Sequence, residues 1–235
     1  NKLIIPFLIP FLFAMAIGPK LKWIKSDFQN KSNLILFLIV SILLSAFIIK
    51  NFNINFLINT ILLTAAFYLF FITLRDLFIK KFKNLSQNIA HFGFSLLILS
   101  ILFNNILSTE IITNLKIGET FKTEKFKINF ENIKQKKEQN FKVLIGKFNI
   151  ENLDGNVEIF KPQLRIYNQP NIVTVEADIK TNLLNDKFIT MNLVQNQDYF
   201  NIRYQTKPLM IWIWVSVLLI SFGGSLTLIK KKYEN

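Results

Sequence analysis

Apolar residues in this chain fall into long blocks separated by short charged stretches. Five runs, at 3–17, 34–49, 54–74, 84–109 and 208–229, contain no charged residue apart from His91. A membrane-spanning helix needs about 20 mostly apolar residues, with about 17 as the lower limit. The last three runs meet that length. The second reaches it by including Ser32 and Asn33. The first begins almost at Asn1 and is the shortest. The pattern predicts a polytopic α-helical membrane protein with five spans, at about 3–17, 33–49, 54–74, 86–107 and from 208 onward.

Between the fourth and fifth runs the period changes. Phe126, Ile128 and Phe130 alternate with Lys127 and Asn129. Val173, Val175, Ala177 and Ile179 alternate with Thr174, Glu176 and Asp178, and Phe200, Ile202 and Tyr204 repeat the pattern. Period two with polar partners predicts strands with one buried face. Asp154-Gly155 lies between two such runs and signals a hairpin. The expected organisation is a membrane region over 1–107, a small antiparallel β domain over 108–207, and a final helix with a basic tail over 208–235.

Charge orients this arrangement. The chain has 235 residues and a net charge of +13. Residues 108–208 hold 15 basic and 12 acidic side chains, so +10 of that charge lies in the short segments between and after the apolar runs. Lys20, Lys22, Lys25 and Lys31, against Asp27, follow the first run; Arg75, Lys80, Lys81 and Lys83, against Asp76, follow the third; Lys230, Lys231 and Lys232, against Glu234, follow the fifth. Short basic loops stay on the cytoplasmic side. The three basic segments and the C-terminus are therefore expected inside, and 108–207 outside, where the β domain would be periplasmic or on the intermembrane side. This distribution does not suit nucleic-acid binding, which gathers its charge on one soluble face.

Asn1 is not an initiator Met, and no charged n-region or small-residue cleavage site precedes the apolar sequence. The chain therefore reads as part of a longer membrane protein or one subunit of a split one, without a signal peptide. It has no cysteine. That excludes disulfides, thiol nucleophiles and thiolate-held zinc or iron–sulfur clusters within it.

The candidate chemistry is sparse. His91 is the single histidine and stands at the head of a membrane run. Ionisable groups in a span point to function, and imidazole is a common axial ligand of haem iron. Ala90 and Gly93 beside it would let a flat group approach the backbone. The alternative is a polar residue near a helix end that reaches the headgroups. Glu176 and Asp178, two apart on a predicted strand, share one face and are read as its solvent side. Gly223-Gly224 reads as a helix-packing feature. Trp212 and Trp214 read as part of an interfacial aromatic belt.

Several fragments together resemble one family, the cytochrome c maturation proteins CcmF. "GPKLKW" supplies Gly18, Pro19 and Trp23. "AHFGF" supplies Ala90 to Phe94, with His91 in the family's Ala-His-x-Gly segment. "KPQLRIYNQPNIVTVEADI" supplies Pro162, Arg165, Tyr167, Glu176 and Ile179. "IRYQTKPLMIWIWVSVLLISFGG" supplies Arg203, Tyr204, Pro208, Trp212, Trp214, Gly223 and Gly224. The resemblance covers nearly the whole chain but only the C-terminal third or so of a family member. It departs at Asp186-Lys187-Phe188, where the family has Asp-Leu-Tyr.

The resemblance implies a component of the cytochrome c haem lyase, which joins haem vinyl groups to apocytochrome c thiols by thioether bonds. It implies a membrane haem b that reduces the haem being attached. His91 would be one axial ligand, with the second outside this chain. Implied partners are the remaining N-terminal part of the lyase, the haem chaperone CcmE, a CcmH-type accessory subunit and apocytochrome c. The expected location is the bacterial plasma membrane or the mitochondrial inner membrane. The tryptophan-rich segment that receives haem in the family is absent, so this chain alone is not expected to be catalytically complete. The rival expectation is a non-catalytic scaffold or transporter subunit with a partner-binding β domain.

Overall fold

A computed structural model describes residues 3–20, 31–52, 56–79, 84–194 and 197–233. Trp23, Lys22, Lys25, Lys80, Lys81 and Lys83 lie outside the described residues. The side chains of Lys31 and Lys230 to Lys232 do so as well. The chain divides into two units. Residues 1–106 and 209–235 form the helical unit, and 107–208 form the β unit.

The helical unit contains α1 (Ile5–Ile17), α2 (Lys31–Asn51), α3 (Phe56–Ile79), α4 (Leu85–Leu107) and α5 (Met210–Tyr233). Four of these are long and apolar enough to cross a membrane: Ser32–Asn51, Leu57–Ile79, Leu85–Leu107 and Met210–Leu228. The fifth apolar helix, Ile5–Lys20, is shorter than a span. Among the described residues five apolar helices are present where five spans were expected, but four have spanning length. Gly18-Pro19 explains where α1 stops. Pro19 cannot supply an N–H to continue the ladder, and the chain tightens into a 3-10 turn over Gly18–Lys20.

The core of this unit centres on α3. Leu63, Ala65, Ala66 and Leu69 on α3 and Leu12 on α1 are buried. Phe13 packs against Tyr68, and Phe37 stacks on Phe71. α3 also runs past the expected end of its span, carrying Arg75 and Asp76 in its last turns. Asp76 is tolerated there because it is paired, as described below.

The β unit is a two-sheet sandwich. One sheet has four strands in the order β1 (Thr109–Leu115), β10 (Phe200–Pro208), β9 (Asn185–Leu193), β8 (Asp178–Thr181). The other runs β2 (Thr120–Lys122), β3 (Phe126–Lys137), β4 (Phe141–Asn152), β6 (Gln163–Tyr167), β7 (Val173–Glu176). β5 (Val157–Phe160) also pairs with β4. Every pairing is antiparallel. The alternation in two segments sorts as expected: Ile128, Phe130, Ile202 and Tyr204 are buried. Asp154-Gly155 forms the β4–β5 turn, with Gly155 at φ 74°.

The third alternating segment does not sort that way. Val173, Val175 and Ile179 are exposed. The chain breaks at Ala177, so Glu176 ends β7 in one sheet and Asp178 begins β8 in the other. The two carboxylates therefore do not share a face. Val175 does pair beside the buried Leu164 and points inward. β7 is the edge strand of its sheet, and its valines stay exposed there.

The sandwich is closed by stacked aromatics. Phe130 and Phe148 lie face to face at 4.3 Å between centroids. Both are fully buried with Phe160. Gly146 keeps this contact possible, because a Cβ there would come within 2.7 Å of the Phe148 ring and 2.8 Å of Met191 Sδ. Phe130→Ala is expected to destabilise the β unit by about 3–5 kcal/mol, measured as a lowered denaturant midpoint. An unchanged midpoint would mean the stack is not the centre of the core.

Candidate functional site

α4 makes opposite contacts on its two sides. One side is sealed against α5 by small residues. A Cβ on Gly93 would come within 2.9 Å of Leu219 Cβ and 3.0 Å of the Ser216 carbonyl oxygen. A Cβ on Gly223 would meet the Ala90 backbone nitrogen at 2.7 Å. Ser86 Oγ donates to the Gly223 carbonyl at 2.7 Å and also bonds Thr227 Oγ1. Glycine and serine allow such close helix contact in a membrane. The space beside Ala90 and Gly93, expected to admit a flat ligand, is therefore filled by α5. Gly224, by contrast, faces open space.

His91 lies on the other side of α4, towards α1 and α3. It is partly buried and borders a recess of about 20 Å³ with Ala16, Pro19, Thr73, Asp76 and Asn88. The chemistry around it is polar. Lys20 Nζ lies 3.2 Å from Asp76 Oδ1, and both side chains are 12% exposed. Asn88 Nδ2 donates to the Asp76 carbonyl at 3.4 Å. One turn further in, Thr73 Oγ1 and Ser95 Oγ are 2.9 Å apart. Sequence reasoning treated Lys20 and Asp76 only as loop charges. The signal it missed was that α3 remains helical through Asp76, which puts that carboxylate on the face towards α1.

A large apolar groove, about 450 Å³, runs between α3, α4 and α5, lined by Phe67, Phe70, Phe92, Phe103 and Trp212 among others. His91 is not among its lining residues. Trp212 turns into this groove, whereas Trp214 is 66% exposed and fits an interfacial belt.

The remaining marked residues are dispersed. Gly18 and Pro19 close α1, and Pro19 borders the His91 recess. Pro162 is buried, and its carbonyl accepts from the Gly146 amide at 3.1 Å. Arg165, Tyr167 and Glu176 share the outer face of the larger sheet. Arg165 lies 3.7 Å from Glu176 and 5.7 Å from the centre of the Phe141 ring. Arg203 bonds Glu110, and that contact holds the Glu110 carboxyl below the usual carboxylate range. Tyr204 is in the core, where burial raises its phenol. Pro208 ends β10. Lys187, at the departure from the family pattern, pairs with Glu158. Among the described residues no group of three or more His, Asp or Glu forms a metal cluster.

Comparison with known proteins now bears on these features. Residues 106–208 match the family model described as the CcmF C-terminal beta-sandwich. A cytochrome c-type biogenesis protein CcmF from Haemophilus influenzae is 22% identical over all of this chain and 39% of its own length. The Escherichia coli protein of the same name is 21% identical over 97% of this chain and 36% of its own. The chain is thus similar to CcmF proteins along its length, and the family model covers its β unit. A solved structure titled Cytochrome c Heme Lyase CcmF shares the fold, with a TM-score of 0.68 at 19% identity over 95% of this chain and 39% of that one. The chain therefore spans about two-fifths of the length of these CcmF proteins.

The His91 site can be tested against a haem ligand's needs. The donor fits: it is a partly exposed imidazole on a rigid helix, backed by polar groups that can orient it. The space within this chain does not fit. A recess of about 20 Å³ holds about one water, not a porphyrin. This chain supplies a donor and one wall, and groups outside the chain would have to complete any chamber.

Lys20 and Asp76 are expected to hold the end of α1 on α3 beside His91. Removing one partner of a buried pair leaves an uncompensated charge. Asp76→Ala should cost on the order of 3 kcal/mol, read as a lower melting temperature in detergent. The double change Lys20→Met with Asp76→Leu should recover most of that loss. Equal stability of Asp76→Ala and the unaltered chain would contradict this role.

Proposed function

We propose that this chain is the C-terminal part of a cytochrome c maturation haem lyase, acting in a bacterial plasma membrane or a mitochondrial inner membrane. The observation that carries this reading is the end-to-end match: four spanning helices and an inserted β-sandwich in the order of CcmF proteins. In this reading His91 would hold the iron of a membrane haem b, with a further ligand from outside the chain. Such a haem would supply one-electron chemistry.

The chain's own residues present and orient the donor. The α4–α5 seam fixes the rotation of α4, so the imidazole faces the α1–α3 side. Asp76 and Asn88 line the same recess and would orient one ring nitrogen, leaving the other for iron. The basic segments after α1, α3 and α5 favour the inside, which puts the β unit outside. There it would help position partners: the haem chaperone CcmE, a CcmH-type subunit and apocytochrome c. The attachment step itself is assigned to the rest of the lyase, since this chain spans about two-fifths of the length of the CcmF proteins it matches.

A second reading is a non-catalytic scaffold. The filled Ala90–Gly93 side and the small recess at His91 favour it. Optical spectra separate the two. The assembled lyase containing this chain is purified in detergent, unaltered and with His91→Ala, and read oxidised and dithionite-reduced. Haem ligation predicts a low-spin b-type spectrum that becomes high-spin or disappears in the variant. Identical haem content and spectra would remove His91 from the iron and leave the scaffold reading.

A further inference from the structure

The turn between β8 and β9 carries two adjacent leucines at its tip, among several exposed apolar residues of the β unit such as Leu153 and Ile179. Leu183 and Leu184 are 67% and 69% exposed and adjacent. They are held in place by Asn182. Its Oδ1 accepts from the Leu184 and Asn185 amides, each at 2.8 Å. Its own amide nitrogen donates to the Asn185 carbonyl at 3.0 Å. The leucines are thus presented on a closed turn.

Strand register shows which end of the sheet carries the turn. Asn185 pairs with Pro208, the last residue of β10. Thr206 pairs with Thr109, the first residue of β1. Leu107 ends α4 two residues before Thr109, and Met210 begins α5 two residues after Pro208. Both covalent joins to the membrane-spanning helices therefore leave from this end of the sheet. The tip extends up to two residues beyond the Asn185–Pro208 pair, about 7 Å at the rise of a strand. β9 and β8 lie one and two strands from β10, roughly 5 Å per step.

We propose that Leu183 and Leu184 form a membrane-interface contact, entering the headgroup–acyl boundary of the bilayer that α4 and α5 cross. The tip itself, 182–185, carries no charge, while Lys180, Asp186 and Lys187 flank it. An apolar point with a charged collar suits a lipid interface. Two leucines are too little for a protein partner, because a stable interface takes roughly 800 Å² from each side. Bilayer is the apolar phase that the covalent joins bring to this end. The contact gives the β unit a third attachment beside its two joins, restricting how it can rock over the membrane. It rests on the membrane reading of α4 and α5, not on haem at His91.

The chain has no cysteine, so a single nitroxide can be placed without background. Leu183→Cys, Leu184→Cys and Ile117→Cys are each labelled in the full chain, in nanodiscs of phosphatidylcholine and phosphatidylglycerol. Ile117 is the control. It is 54% exposed and follows β1 at the far end of that strand from Thr109, about 20 Å away by strand rise. At positions 183 and 184 collisions with oxygen should exceed those with a water-soluble nickel chelate, and the order should invert at 117. Nickel reaching 183 and 184 as freely as 117 would place the tip in water and overturn the proposal. Exclusion of both reagents would show a protein surface over the turn and overturn it equally.

Discussion

The close approach of α4 to α5 governs the helical unit. Gly93 and Gly223 have no room for a Cβ, so the two helices meet at their backbones and α4 has one permitted rotation. That rotation decides everything else on α4. It turns His91 towards α1 and α3, sends Phe92 against Phe70, and buries Ser95 where it meets Thr73. In lipid no hydrophobic effect drives helices together, so packing of small residues and hydrogen bonds such as Ser86 to Gly223 must do so.

The polar groups behind His91 follow from the same constraint. Once α4 is set, Asp76 on α3 and Lys20 after α1 lie on the facing side and neutralise one another. Lys20 can reach inward because Gly18-Pro19 turns the chain in a tight coil just past α1. A membrane bundle rarely spends a buried ion pair without a use, and here the pair lies beside the one histidine. That is the feature the proposed ligand role draws on, and CcmF similarity gives it a chemical context.

Much of the fold was legible in the sequence because each solvent imposes its own period. Long uncharged runs predicted α2 to α5, and alternation predicted β3 and β10. α1 was expected to span although its apolar run was the shortest of the five, and the helix it forms is shorter than a span. The β7–β8 segment misled because alternation records which side a residue points, not whether a second sheet covers that side. The site was less legible. His91 stood out as a lone ionisable group, whereas Asp76 looked like a loop charge, since helix ends cannot be fixed closely from composition. Ala90 and Gly93 promised room for a ligand, yet small residues serve a neighbouring helix equally well. Nothing in one sequence distinguishes the two.

Cross-linking in the membrane tests the α4 rotation most directly, and the absence of native cysteine makes it clean. Ser86→Cys with Thr227→Cys should form a disulfide readily, because these side chains are already bonded across the seam. His91→Cys with Leu219→Cys should not, because His91 faces away from α5. Failure of the first pair and efficient linking of the second would mean α4 is turned the other way. The site built around His91, Asp76 and Lys20 would then be lost.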